Sequence, residues 1–205
     1  MNQSKSKNNS SVVWQDGHVS EKERSALLGQ HPATLWLTGL SGAGKSTLAF
    51  ALEQRLVANG HACYVLDGDN VRHGLNRDLG FSAAQRSENI RRIAEVAKLM
   101  NDAGLIVITA FISPYRSDRE MARKIIGADK FVEVHLATPI AVCEQRDAKG
   151  MYQRARTGEI ADFTGISAPY ESPVNPAASI DTSVASLEDA LVQLMQILEP
   201  QLCQN

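Results

Sequence analysis

At 205 residues the chain has room for one domain with a full core and one active site, and a formal charge of −2 with 21% charged residues excludes a nonspecific nucleic-acid binder. No stretch reaches the about 20 consecutive apolar residues of a membrane span, and the opening MNQSKSKNNSS has no apolar signal core, so neither nucleic acid nor membrane is an expected partner. Three cysteines without a CxxC spacing and five histidines without ligand spacing point to a reduced, cytoplasmic chain with no protein-held zinc.

Residues up to about Ser11 are polar and aperiodic and read as unstructured. Ser20, with Glu23 three residues on, forms a capping-box pattern that opens a short helix ending near Gly29. Residues 1–30 therefore read as a polar N-terminal extension with a short helix, and 31–205 as the domain proper. Strand-like and helix-like runs then alternate: TLWLT (34–38), a helix from Lys45 to Asn59, ACYVLD (62–67), a short helix after Asp69, a long helix from Ala83, and LIVITAF (105–111). A helix from about Arg116, FVEVHLA (131–137), a helix near Val142, a strand around Ser179 to Thr182 and a helix from Ser186 to a stop at Pro200 complete the pattern. Such alternation implies an α/β fold with a mostly parallel central sheet and helices on both faces. The unbroken apolar character of LIVITAF suits a central strand buried on both sides. The closing helix keeps Leu187, Leu191, Leu194 and Leu198 on one face.

Between the first strand and the helix at Lys45 lies GLSGAGKST, which is Gly39, Leu40, Ser41, Gly42, Ala43, Gly44, Lys45, Ser46 and Thr47. It matches GxxxxGK[ST] in the strand-to-helix context that this phosphate loop requires. Glycines let backbone amides turn inward around phosphate oxygens, the helix N-terminus adds its dipole, Lys45 reaches the outer phosphates and Ser46 can ligate Mg²⁺. The stretch reads as the site of a nucleoside triphosphate, and the architecture as a P-loop NTPase-type three-layer fold. No Asn-Lys-x-Asp guanine motif occurs, and LIVITAF runs into Ile112-Ser113-Pro114 without an acid. The acids instead end the other strand: Asp67 and Asp69 flank Gly68, where ligands of open parallel sheets bind. They suit Mg²⁺ held through water and the proton of an attacking hydroxyl, although Asp-Gly-Asp-Asn is also good turn chemistry.

In FSAAQRSENIRR, Ser82 and Gln85 cap a helix, but Phe81 before the cap faces Arg86, not an apolar partner four residues into the helix. Arg86 also opposes the helix dipole, and an anion nearby would resolve that conflict. Asn89 lies one turn on, beside Arg86, and Arg72 follows the Asp pair; a solvated helix face is an equally good reading of this group. Residues 146–173 are rich in Arg, Lys, Gly and Pro, contain Phe163 in a polar setting and exceed an ordinary connector, so they read as a mobile lid that excludes water. Two isolated phenylalanines among arginines suggest an aromatic acceptor bearing anionic groups.

GLSGAGKST, LDGDNVRHGLNRDLGFS, RSENIRRIAEVAKLM, TAFISPYRSDR, RDAKGMYQRARTGEI and FTGISAPYE together resemble the adenylyl-sulfate kinases, in the family's order and over nearly the whole folded chain. The resemblance implies transfer of phosphate from ATP, with Mg²⁺, to the 3′-hydroxyl of adenosine 5′-phosphosulfate (APS), giving ADP and 3′-phosphoadenosine 5′-phosphosulfate (PAPS), by a homodimer. It implies Gly39 to Thr47 and Arg146 for ATP, Asp69 with Asp67 beside it for the acceptor hydroxyl, and Ser46 with Asp69 for the metal. Phe81 and Phe163 match the pair that sandwiches the acceptor adenine, and Arg72, Arg86, Asn89 and Lys149 match acceptor contacts. Ser113 matches the serine described in the family as a phosphoserine intermediate, though in-line transfer within one ternary complex needs no covalent stop. On the residues alone, a P-loop kinase for another small acceptor and a nucleotide-gated regulatory module stay open.

Overall fold

The computed structural model describes residues 12, 13, 15–147 and 149–202; the expected unstructured stretch up to Ser11, and Cys203, lie outside them. Strands β1 (Thr34–Gly39), β2 (Cys63–Asp67), β3 (Ile106–Ala110), β4 (Phe131–Leu136) and β5 (Ala178–Ile180) form one sheet in the order β2-β3-β1-β4-β5. Every pairing is parallel, with Thr34 opposite Val107 on one side of β1 and opposite Phe131 on the other. All residues of β1 and β3 are buried, which explains their unbroken apolar runs: each must satisfy a core on both faces.

The helices are α1 (Glu21–Leu28), α2 (Lys45–Ala58), α3 (Ala83–Asp102), α4 (Arg116–Ile126), α5 (Ile140–Arg146), α6 (Met151–Arg156) and α7 (Leu187–Leu202). Because strand side chains alternate, Leu35, Leu37, Ile106 and Ile108 face a cluster with α2 and α7, while Trp36 and Val107 face one with α3 and α4. Trp36 fills the second cluster, its ring centroid 6.1 Å from Phe111 and 5.5 Å from Phe131. Among the described residues no helix is long and apolar enough to cross a membrane.

The N-terminal ends of the strands are sealed by two buried amides. Gln30 donates from Nε2 to the Ala62 and Gly104 carbonyls at 2.8 and 2.9 Å and accepts the Ala62 N–H at 2.8 Å. Asn101 donates to the carbonyls of Ala33 and Leu105, both at 3.0 Å, and accepts from the Thr34 hydroxyl at 2.8 Å. The short helix α1 docks at the same end through Lys130 to Glu21 and through Arg24 to the Asp102 carbonyl, and carries the expected capping box at Ser20.

Several boundaries differ from the sequence reading. The last helix does not stop at Pro200 but runs to Leu202, because the Gln201 carbonyl accepts the His31 N–H at 2.8 Å and Leu202 packs on the core. The last strand ends at Ile180 and not near Thr182, where its pairing with β4 ends. The short helix expected after Asp69 is present, as a 3-10 helix over Asn70–His73. The 146–173 segment is less open than its composition implied: α6 starts after Gly150 and buries Tyr152 and Ala155.

Candidate active site

At the C-terminal end of β1 the carbonyls of the glycine-rich loop are held by side chains. Lys45 Nζ donates to the carbonyls of Gly39 and Leu40 at 2.9 and 2.7 Å. The Tyr152 hydroxyl donates to the Ser41 carbonyl at 2.9 Å, Arg146 to that of Gly42 at 3.3 Å, and Thr182 to that of Ala43 at 3.1 Å. Carbonyls 39 to 43 are thus each engaged by a side chain, and apart from the Ala43 N–H, which donates to the Leu40 carbonyl at 3.2 Å, the loop amides are left for an anion. Glycine is required twice by close approach: a Cβ on Gly39 would lie 2.7 Å from the Leu136 carbonyl oxygen, and one on Gly42, at φ 76°, 2.8 Å from that of Cys143. Helix α2 begins at the end of this loop with no side-chain cap and no acid in its first turn, leaving its N-terminus to the loop's ligand. Lys45 is buried, and that burial pushes its ammonium down to about 8 against the pull of Asp67 and Asp69.

Asp67, buried at the end of β2, is the acid that meets the loop. Its Oδ2 accepts from the Ser46 hydroxyl at 2.7 Å, and its Oδ1 accepts the N–H groups of Asp69 and Asn70 at 3.0 and 3.3 Å. Asp69 is exposed and ion-paired with Lys149, so the geometry sets Asp67, not Asp69, against Ser46. Among the described residues no cluster of three His, Cys, Asp or Glu side chains could hold a metal by itself. The donor set here is one hydroxyl and nearby carboxylates, all oxygen, which fits Mg²⁺ that keeps several waters and takes its other ligands from phosphates.

Beyond Asp69 stands a shelf built by Phe81, which is 60% exposed. The Arg72 guanidinium lies 4.3 Å from its ring centroid and that of Arg86 6.0 Å. Burial first, and the neighbouring Arg86 next, weigh against the charge on Arg72, so an anion between them relieves both. Arg86 donates to the Phe81 carbonyl, to Thr164 Oγ1 and to the Asp162 carbonyl at 2.7, 2.7 and 2.6 Å, tying the shelf to the 146–173 segment. Asn89 is buried and accepts from Asn76 Nδ2 at 2.9 Å. Phe163 is not a stray aromatic in a polar setting: it is 6% exposed and meets Tyr152 edge-on at 4.9 Å.

Ser113 lies in the turn after β3, at the same end of the sheet. It is 2% exposed, its backbone sits at φ 39°, and its Oγ accepts from the Trp36 indole at 3.1 Å. Thr38, Arg119, Tyr152, Tyr170 and Thr182 are contributors that sequence reasoning missed. For Tyr152 and Tyr170 an aromatic inside a polar segment was a usable signal; for Thr38 and Thr182 none existed, since a threonine at a strand end is commonplace.

The geometry can be set beside known proteins. A profile of the family described as adenylylsulphate kinase matches residues 31–181. The adenylyl-sulfate kinase of Shewanella amazonensis is 57% identical over 187 residues, covering 91% of this chain and 94% of that one. The structure of the Mycobacterium tuberculosis APS kinase in complex with AMPPNP and APS aligns with a TM-score of 0.80 at 47% identity, over 83% of this chain and 99% of that one. A hexameric APS kinase from Thiobacillus denitrificans aligns with a TM-score of 0.65 at 36% identity, over 86% of this chain and 30% of that one.

Proposed function

The chain belongs to the adenylylsulphate kinase family, and from that premise we propose how its own residues carry the reaction. The enzyme transfers the γ-phosphoryl group of ATP to the 3′-hydroxyl of APS, releasing ADP and PAPS, and uses Mg²⁺. The observation that carries the residue assignment is that Asp69 acts electrostatically on both Lys45 of the loop and Arg72 of the shelf, while Ser46 bonds Asp67 and Phe81 carries Arg72 and Arg86. Phosphate donor and aromatic anionic acceptor then meet over the two acids.

The amides of residues 39–47 bind the β- and γ-phosphates of ATP, with Arg146 on its outer side. Lys45 leaves the Gly39 and Leu40 carbonyls for the outer phosphates. Ser46 would hold Mg²⁺, with Asp67 and Asp69 acting through its waters, and the ion would supply charge neutralisation at the phosphates. Phe81 stacks on the acceptor adenine, Phe163 takes the opposite side only by leaving its buried place against Tyr152, and Arg72, Arg86 and Asn89 hold the phosphosulfate end. Lys149 shifts from Asp69 to the acceptor's anionic group. Asp69, so freed, takes the proton of the 3′-hydroxyl as its oxygen bonds to the γ-phosphorus and the bond to ADP breaks. Ser113 is assigned to ordering the turn after β3 and not to a covalent step, a reading supported by its burial and by the Trp36 indole bound to its hydroxyl.

The lid is taken as 146–173 and the catalytic domain as 31–205, with α1 docked beneath it. Free Cys63 and Cys143 support the cytoplasm as its place. The homodimer rests on family resemblance, with the hexameric relative as the competing assembly, and light scattering on the purified chain separates the two. The activity is tested by ADP release with ATP and Mg²⁺ in the presence of APS, AMP or a sugar acid, with the product identified by mass. Release with APS alone and a 3′-phosphorylated product is expected; equal release with AMP would overturn the acceptor assignment.

A further inference from the structure

Two segments so far without a role in transfer, 113–119 after β3 and 170–172 at the end of the lid, are fastened together. The Glu171 N–H donates to the Pro114 carbonyl at 2.8 Å. The Glu171 carboxylate accepts the Arg116 N–H at 2.8 Å, capping α4, whose own N-cap residue Tyr115 makes no side-chain cap bond. At the centre is Arg119, 3% exposed: Nε donates to Glu133 Oε1 at 2.6 Å, and the two terminal nitrogens to the carbonyls of Ser113 and Glu171, both at 2.7 Å. One guanidinium thus binds β4, the turn after β3 and the C-terminal stalk of the lid. Tyr170 adds a second tie, its hydroxyl 3.1 Å from that of Thr38, which donates to the Ile112 carbonyl at 2.7 Å.

The guanidinium is a rigid planar fork that keeps its charge, so three bonds in one plane set the relative positions of what they join. A serine at positive φ is sterically disfavoured and persists only where its surroundings over-determine it, and the Arg119 bond to its carbonyl is one of those restraints. We propose that Arg119 is a positioning residue for the transfer: anchored on Glu133, it locks the Ser113 turn and the lid stalk to one point of the sheet. The lid then closes on a fixed stop and keeps water from the γ-phosphate. Arg119 touches no substrate; it acts through the turn and the stalk. The inference rests on reading 146–173 as a lid.

The test compares Arg119→Lys, Glu133→Gln and Phe163→Ala with the parent full-length chain. The readout is ADP formed per PAPS formed, with the ATP KM and the thermal midpoint measured alongside. Arg119→Lys keeps the charge but loses the fork; its transfer kcat falls about 30-fold with the ATP KM within about two-fold, and ADP per PAPS rises from near one to above about five as water competes. Glu133→Gln, which leaves the arginine but removes its anchor, moves the ratio the same way by less and carries the test if the lysine variant does not fold. A merely structural role lowers ADP and PAPS in proportion, and an unchanged ratio in the folded variants overturns the proposal. Leakage in Phe163→Ala with tight coupling at Arg119 and Glu133 overturns the role of Arg119 alone; no leakage in any of the three overturns the lid reading with it.

Discussion

The two ends of the parallel sheet are built on opposite rules. At the N-terminal end the side-chain amides of Gln30 and Asn101 are used on every side and tie β1, β2 and β3 to their neighbours. At the C-terminal end a lysine is buried at a cost to its charge, a serine sits at positive φ, and Arg72 and Arg86 crowd one ring. The first end holds the strands in register; the second keeps polar groups poised for ligands, and its strain is tolerated because the first supplies stability.

Lys45→Met should separate the two ends most sharply. Acceptor-dependent ADP release is expected to fall by about 1,000-fold or more, since the outer phosphates lose their cation. The thermal midpoint is expected to stay or rise, because a buried ammonium gives way to an apolar chain. A lower midpoint in calorimetry would mean that the lysine, through the Gly39 and Leu40 carbonyls, also holds the loop together.

Asn101→Ala is the converse. It removes the partners that Asn101 gives the Leu105 carbonyl and the buried Thr34 hydroxyl, while the Ala33 carbonyl keeps the Val107 N–H, and urea unfolding should show a loss of about 2–4 kcal/mol with kcat within about two-fold. A matching loss of kcat would show that register at the far end reaches the site.

The pH dependence of ATP binding follows from Lys45 at about 8. ATP binds the protonated lysine and raises its pKa, so binding takes up a proton above pH 8. Affinity should be flat below that pH and weaken up to about tenfold per unit above it, as calorimetric titration in two buffers would show. The same profile is expected in Asn101→Ala, whose change lies at the other end; a shifted one would join the two ends electrostatically.

Ser113→Gly is the mildest. Glycine relieves the positive φ but removes the acceptor for the Trp36 N–H, effects of about 1 kcal/mol each and of opposite sign. Turnover within about tenfold of the parent is expected, with no phosphoserine in intact mass. Turnover at background, with a trapped phosphoserine in the parent, would restore the covalent role.

What was legible followed from short-range rules. GLSGAGKS reads as a phosphate loop because its glycines, lysine and serine act within one turn of chain, and LIVITAF reads as a buried strand because two-faced burial leaves an unbroken apolar run. The resemblance to a known family supplied the reaction and candidate positions, but not what each position touches. Phe163 read as an isolated aromatic in a polar stretch, yet Tyr152 from α6 packs against it. Pro200 read as a stop, yet a bond from His31, distant in sequence, carries the helix past it.

From its amino-acid order alone, this protein has its alternating elements, its helix caps and its phosphate loop determined, because each depends on residues a turn or a strand apart. Only the tertiary structure decided that Asp67 meets Ser46, that Arg146 and Thr182 brace the loop, and that Arg119 joins β4 to Glu171, about 50 positions on in the chain. Those pairings depend on which strands lie side by side. Parallel strands set β1 between β3 and β4, and so gather at one edge residues that no local pattern connects.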